Sequence, residues 1–377
     1  MGIYSVAIVI GALAVGAHAA CCDKNLIQDL SFKLSGYNVL FPCPSTKNIY
    51  ASSGRYIPKN IIPTRFQILN DYAIVALSKF RPGVPFTLAK FSLRTEGCVA
   101  SLEPYPCWNI QEEGNCKAIQ NAVDVALDAA NNLWVLDTGI VNTLEQPVRR
   151  CAPKLWGLNT ETGEVIKSIS LEQFTTNESN LQYLIVDITS SGSPVAFISD
   201  AGAGALIAIN LQAETGYRLV LPPAVSEGCG VKDVLYVQLA RKESGNVLYF
   251  TYLGSPKLFS IKAEYLEQGS ACGAVVEVGR KPPGTGLVLL GTDNGENLFV
   301  RFKGHSDIYV WNTCTEFSKD KFVLVQAGDD CRMATQVVPG YRRLMWTLES
   351  NFHDFVCGRT GCVGPSVVIH PLVKTDH

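Results

Sequence analysis

The sequence predicts an all-β protein, a six-bladed β-propeller. Three observations lead there: a weak internal repeat, several strand-like runs within each repeat unit, and little helical periodicity. Short apolar runs, several of them ending in a small turn with Asp, Asn or Gly, lie at 72–77, 133–139, 196–202, 248–252, 288–293 and 344–349. Ile74, Trp134, Phe197, Tyr249, Leu290 and Trp346 serve as their anchors. A second set of runs sits at 154–159, 205–210, 257–261 and 307–312. The first of these continues through Thr162-Gly163-Glu164 into 165–169, a hairpin with a glycine-containing turn. Residues 120–128 lead into the 133 run and read as its partner strand. Residues 262–267 read as a short helix. A unit of roughly fifty residues with about four strands is one propeller blade, and six such units fill the chain. A β-sandwich would not repeat six times in this order.

The N-terminus carries an apolar run from Ile3 to Val15, followed by Ala17-His18-Ala19 and then at once by cysteines and charges. That layout predicts a signal peptide over 1–19, cleaved after Ala19, and a single propeller domain over 20–377 with terminal extensions. The protein is therefore expected to be secreted and extracellular. Thirteen cysteines without metal-ligand spacing point to disulfides, and an odd count leaves at least one thiol unpaired or joined to another chain. Sequence proximity and matching strand ends suggest Cys98–Cys107, Cys116–Cys151, Cys314–Cys331 and Cys357–Cys362. Asn177-Glu178-Ser179 is an N-glycosylation acceptor and predicts an exposed loop. The net charge of −2 comes with no basic run, so neither nucleic acid nor an anionic membrane is an expected partner.

Catalytic motifs are missing. The sequence has no GxSxG elbow and no HExxH. Gly202-Ala203-Gly204 lacks the third glycine and the helix of a dinucleotide loop. In Lys281-Pro282-Pro283-Gly284-Thr285-Gly286 the lysine precedes the glycines, and the prolines remove donors that a phosphate loop needs. No cofactor, catalytic metal or hydrolase triad is expected. Asp137, Asp200 and Asp293 each follow an innermost or second strand and are expected at the same end of their blades. They are read either as turn caps accepting backbone N–H groups or as oxygen ligands for Ca²⁺ at one mouth of the axis.

Several segments resemble the insect yellow/major royal jelly protein family. They are Cys116-Lys117-Ala118-Ile119 through Asp128, Leu133-Trp134-Val135-Leu136-Asp137-Thr138-Gly139, Cys151-Ala152-Pro153-Lys154-Leu155, Pro104-Tyr105-Pro106-Cys107-Trp108, Phe197-Ile198-Ser199-Asp200 and Glu349-Ser350-Asn351-Phe352. Residues 41–50 and 83–88 look most like the yellow-g type, which is associated with the eggshell. Ala130 departs from the pattern, since many relatives have a cysteine near this point. The resemblance implies secretion and a six-bladed propeller. It implies a role in pigmentation and cuticle, dopachrome conversion, binding of biogenic amines in the axial channel, or nutrition. For amine binding the matching positions are Asn351, Phe352 and Thr335, an aromatic face beside polar groups. The foremost expectation is a non-enzymatic role in assembly or hardening of an extracellular coat, the eggshell (chorion or vitelline membrane). Its partners would be other coat proteins joined through an unpaired cysteine such as Cys21 or Cys22. The alternatives are dopachrome conversion of the isomerase type, with His353 as the nameable base, and binding of a small aromatic amine.

Overall fold

The computed structural model describes residues 30–94, 99–189, 191–230, 232–269, 273–282, 284–328 and 331–372. The leader expected at 1–19, with Cys21 and Cys22, lies outside them. Six four-stranded antiparallel sheets follow one another. The first blade is Arg65–Leu69, Tyr72–Ala76, Leu88–Ser92 and Glu103–Pro104. The second is Ala122–Leu127, Leu133–Asp137, Lys154–Leu158 and Val165–Ser170. The third is Leu181–Ile188, Pro194–Asp200, Ala205–Asn210 and Thr215–Val220. The fourth is Leu235–Ala240, Val247–Tyr252, Lys257–Lys262 and Val276–Arg280. The fifth is Leu287–Thr292, Asn297–Phe302, Ile308–Asn312 and Phe322–Gln326. The sixth takes Met333–Pro339, Met345–Ser350 and Val367–Pro371 from the C-terminal end, and its outermost strand is the N-terminal Phe32–Leu34. That pairing ties the two ends of the described chain into one sheet.

Each innermost strand touches those of the neighbouring blades, and the sixth touches the first, so the ring closes. Second strands are the most buried because blades cover both their faces: Leu133–Asp137 is buried at every position. Outermost strands meet solvent, as Val165–Ser170 does along most of its length. Trp134, Phe197, Tyr249 and Trp346 all sit on second strands, as the repeat predicts. Leu290 does not. It belongs to the innermost strand of the fifth blade, which is wholly buried and so mimics a second-strand signal. The runs at 154–159, 205–210, 257–261 and 307–312 are all third strands, and the expected helix is Ala263–Glu267.

Strand alternation defines two faces. Innermost strands start at the face called upper here and end at the lower one. First-to-second and third-to-fourth turns are therefore below. Second-to-third loops and blade-to-blade connections are above. Asp137 and Asp200 end second strands at the upper face, whereas Asp293 follows an innermost strand at the lower face, so the three do not share one mouth. All three cap turns. Asp137 accepts from the N–H groups of Gln120, Asn121 and Gly139 and from Trp156 Nε1. Asp200 accepts from the N–H groups of Asn180 and Ala203, and Asp293 from those of Gly295 and Asn297. Their lone pairs are spent on the backbone, which is the turn-cap reading.

Candidate functional site

Two cavities share the axis, and Arg65 lines both. Arg65 begins the first innermost strand and is buried. Its Nε and Nη2 donate to Asp124 Oδ1 and Oδ2 at 2.8 and 3.3 Å, and its Nη1 donates to the Thr335 carbonyl at 3.1 Å. Asp124 also accepts from the N–H groups of Val125 and Leu184, each at 2.8 Å. One ion pair thus ties the first, second, third and sixth blades together across the axis. Burial works against the Arg65 charge, but Asp124 outweighs it and holds the guanidinium above its ordinary pKa. The guanidinium lies 4.9 Å from the centre of the Tyr183 ring, and that ring is 5.4 Å from Tyr236. Burial pushes both phenols upward, Tyr183 well above its usual range, so both are neutral hydrogen-bonding groups near pH 7.

Above this layer is a cavity of about 420 Å³. One wall is aromatic: Phe80 and Phe352 have ring centroids 5.3 Å apart. Phe80 comes from the loop after the second strand of the first blade. Phe352 begins the short helix Phe352–Val356 at the equivalent place in the sixth. Arg81 binds the two loops together, with Nη1 on Glu145 at 2.8 Å and Nη2 donating to the Phe355 carbonyl at 3.1 Å. Ile140, Thr143 and Leu144 line another side, on a loop of the second blade held by the Cys116–Cys151 disulfide. Gly139 sits at φ +67°, and a Cβ there would strike the Cys151 carbonyl, so this close approach requires glycine. Arg301 reaches the cavity from the fifth blade. Its Nε donates to the Ala334 carbonyl at 2.7 Å and its Nη1 to that of Phe302 at 3.4 Å. Arg149 stands exposed at the rim.

Of the three expected ligand positions, Thr335 and Phe352 line this cavity and Asn351 does not. Thr335 Oγ1 donates to the carbonyls of Thr64 and Leu348 at 3.1 and 3.3 Å. Asn351 precedes the short helix, and its Oδ1 accepts from the Ser366 N–H at 2.8 Å, a fastening of the loop. His353 points to solvent beside Asp354, and no His, Asp, Glu, Lys or Cys is among the described residues lining the cavity. The arrangement can hold a planar ring and hydrogen-bond it through phenol, hydroxyl, amide and guanidinium groups. Tyr183, Tyr236, Arg65 and Arg301 were not singled out from the sequence. They come from four blades with no common spacing, and only the ring closure brings them together.

Cys116 and Cys151 are bonded, with Cα atoms 5.5 Å apart. Cys314 and Cys331 are not, for a topological reason. Cys314 lies in the lower turn after Ile308–Asn312, while Cys331 lies in the upper connection after Phe322–Gln326, so a strand separates them. Cys357 and Cys362 are separate exposed thiols. The first closes the short helix, and the second lies beyond Gly358 and Gly361, both in left-handed turns, with its carbonyl held by the Tyr37 hydroxyl at 2.9 Å. Cys107 is an exposed thiol, and Cys98 lies outside the described residues. Asn177 is exposed, on a loop whose Thr175, Ser179 and Asn180 line the cavity mouth.

The family model for major royal jelly proteins matches residues 120–362, which include most of this cavity's walls. The chain belongs to the major royal jelly protein family. Within that family, major royal jelly protein 1 of Apis mellifera is 29% identical over 44% of this chain and 40% of its own length. Protein yellow of Drosophila melanogaster is 25% identical over 62% of this chain and 47% of its own. Dopaminechrome tautomerase of Drosophila melanogaster is 24% identical over 44% of this chain and 37% of its own. This royal jelly family member thus spans less than half the length of each of these relatives.

Proposed function

We propose that the protein is secreted and contributes to the assembly or hardening of an insect extracellular coat, the eggshell foremost, without turning over a substrate. The observation that carries this reading is the set of exposed thiols, Cys43, Cys107, Cys314, Cys357 and Cys362, on a closed and densely buried ring. Chain direction puts all but Cys314 on the upper face. A rigid body with thiols on both faces can be joined to neighbours by disulfide exchange, each new bond displacing one thiol from a disulfide of the partner. The yellow-g-like residues 41–50 and 83–88 and the leader-like N-terminus support secretion into such a coat. The test is a loss-of-function female. Her eggs are expected to lose water faster and admit dye, and the protein is expected to leave wild-type coats only after reduction. Coats of normal permeability, from which the protein washes out unreduced, would overturn the reading.

A second reading is favoured by the upper cavity: a small aromatic molecule is held, or converted, against Phe80, Phe352 and Tyr183. A tautomerase among the relatives supports it. Turnover of dopachrome by the purified protein would favour conversion over a purely structural role.

A further inference from the structure

We propose that the upper cavity selects a planar aromatic carboxylate over an aromatic amine, with Arg301 as the residue that reads the acid. The inference rests on the reading that this cavity holds a ring. Its basis is charge. Among the described residues, three guanidinium groups line the cavity, Arg65, Arg149 and Arg301, and no carboxylate does. Arg65 is already neutralised by Asp124. Asp233 acts electrically on Tyr236 but accepts from the Val234 N–H and is not part of the lining. Arg301 differs from Arg65 in its partners. Its hydrogen bonds run to the carbonyls of Ala334 and Phe302, and no carboxylate among the described residues pairs with it. Two carbonyls fix the plane of the fork while leaving its charge uncompensated, and burial presses against that charge. A carboxylate entering the cavity would supply the missing counter-charge through a charge-assisted hydrogen bond.

An ammonium group meets the opposite situation. It would lose water, face the uncompensated charge of Arg301 with Arg149 at the rim, and find no carboxylate among the described lining residues. Aromatic faces can hold a cation, but the Tyr183 face is already occupied by the Arg65 guanidinium. Phe80 and Phe352 remain, and there the ligand's own ring competes with an ammonium for the same faces. The ring therefore gives affinity and Arg301 gives the sign of charge. Arg149, at the rim, adds a longer-range attraction that salt weakens.

Calorimetry on the full-length protein with three probes that share a ring tests this: indole-3-acetate, 3-methylindole and tryptamine. Indole-3-acetate is expected to bind roughly 10-fold or more tighter than 3-methylindole, and tryptamine more weakly than either. Arg301→Met should bring indole-3-acetate to the level of 3-methylindole while leaving 3-methylindole unchanged. Arg301→Lys, which keeps the charge without the fork, should restore part of the preference. If Arg301→Met does not fold, the Lys variant and the salt dependence of the wild-type acid preference carry the test. Tryptamine binding as tightly as the acid, or an acid preference that survives loss of Arg301, would overturn the assignment and leave the ring reading intact. Failure of all three probes to bind would remove the ring reading, and this inference with it.

Discussion

The upper and lower ends of the axis are made from the same six strands, yet they handle charge in opposite ways. Below, a cavity of about 560 Å³ is framed by tight turns between first and second strands, where Asn70, Asn131 and Asn294 take left-handed backbone. Its Arg241 is paired in place with a carboxylate, while Asp128 is spent on neutral N–H donors alone. Arg241 donates to Asp187 at 3.2 Å and to Asn294 Oδ1 at 3.2 Å, Asn246 donates to Asp187, and Asp128 accepts from Trp134 Nε1 at 2.9 Å. Above, long loops such as 77–87, 138–153 and 351–366 build the walls, and among the described residues no carboxylate pairs with Arg301. Short turns close the lower end upon itself. The loops at the upper end leave a charge for something else to answer, and that is where a ligand is expected.

The largest effect that would sharpen this contrast is at the boundary between the two cavities. Asp124 is fully buried and serves Arg65 together with two backbone N–H groups. Asp124→Asn leaves Arg65 buried without its counter-charge and is expected to cost about 3–5 kcal/mol. Asp187→Asn in the lower end removes a pair whose arginine is already a third exposed, and is expected to cost about 1 kcal/mol or less. Urea unfolding of both variants measures the difference. Equal losses would mean that the axial ion pair is no more important than a rim pair.

The next effect concerns the upper walls. The Cys116–Cys151 disulfide closes a span of 35 residues that includes the Leu133–Asp137 strand and much of the Ile140–Leu144 wall. Loop-closure entropy for a span of that length puts its loss at about 3–4 kcal/mol in the double serine variant. The variant should also lose affinity for any upper-cavity ligand while the lower end is unaffected, read by comparing unfolding midpoints with and without ligand. A variant as stable as wild type would show that packing alone holds this wall.

The blades were legible in sequence wherever burial is two-sided. Trp134, Phe197, Tyr249 and Trp346 stand in uniformly apolar second strands, and these mark the repeat. The fifth blade misled because its innermost strand, Leu287–Thr292, is as apolar as a second strand, which carried Leu290 and Asp293 one strand out of place. Innermost strands elsewhere are harder to recognise because they face the axis and carry Arg65, Gln67 and Gln336. Of the positions that family resemblance points to, Phe352 and Thr335 line the upper cavity, and Asn351 fastens its loop to Ser366. Arg301 was not legible, because its meaning lies in a partner it lacks. Only the folded chain decides which carboxylates are spent elsewhere.

A further prediction, smaller than those for Asp124 and the disulfide, asks whether uncompensated cations are a habit of the upper face. Lys281 follows the outermost strand of the fourth blade, so it lies in an upper connection. It is 5% exposed, and its Nζ donates to the Tyr252 carbonyl at 2.8 Å. Burial lowers its pKa from 10.5 to about 8, with Cys229 and Asp233 pulling weakly the other way. Below pH 8 both folded and unfolded chains carry the proton, and the folded state bears the full cost of the buried charge. Between about 8 and 10.5 the folded chain has released its proton while the unfolded chain keeps it. The unfolded state then binds more protons, so this group makes stability rise with pH across that window. Lys281→Met carries no such dependence. Wild type is therefore expected to gain about 2 kcal/mol on the variant between pH ~7.5 and ~9.5, measured by urea unfolding at several pH values so that groups common to both chains cancel. A constant difference would mean that Lys281 keeps its proton through this range at no cost, leaving Arg301 as the upper face's single tested case of a charge awaiting a partner.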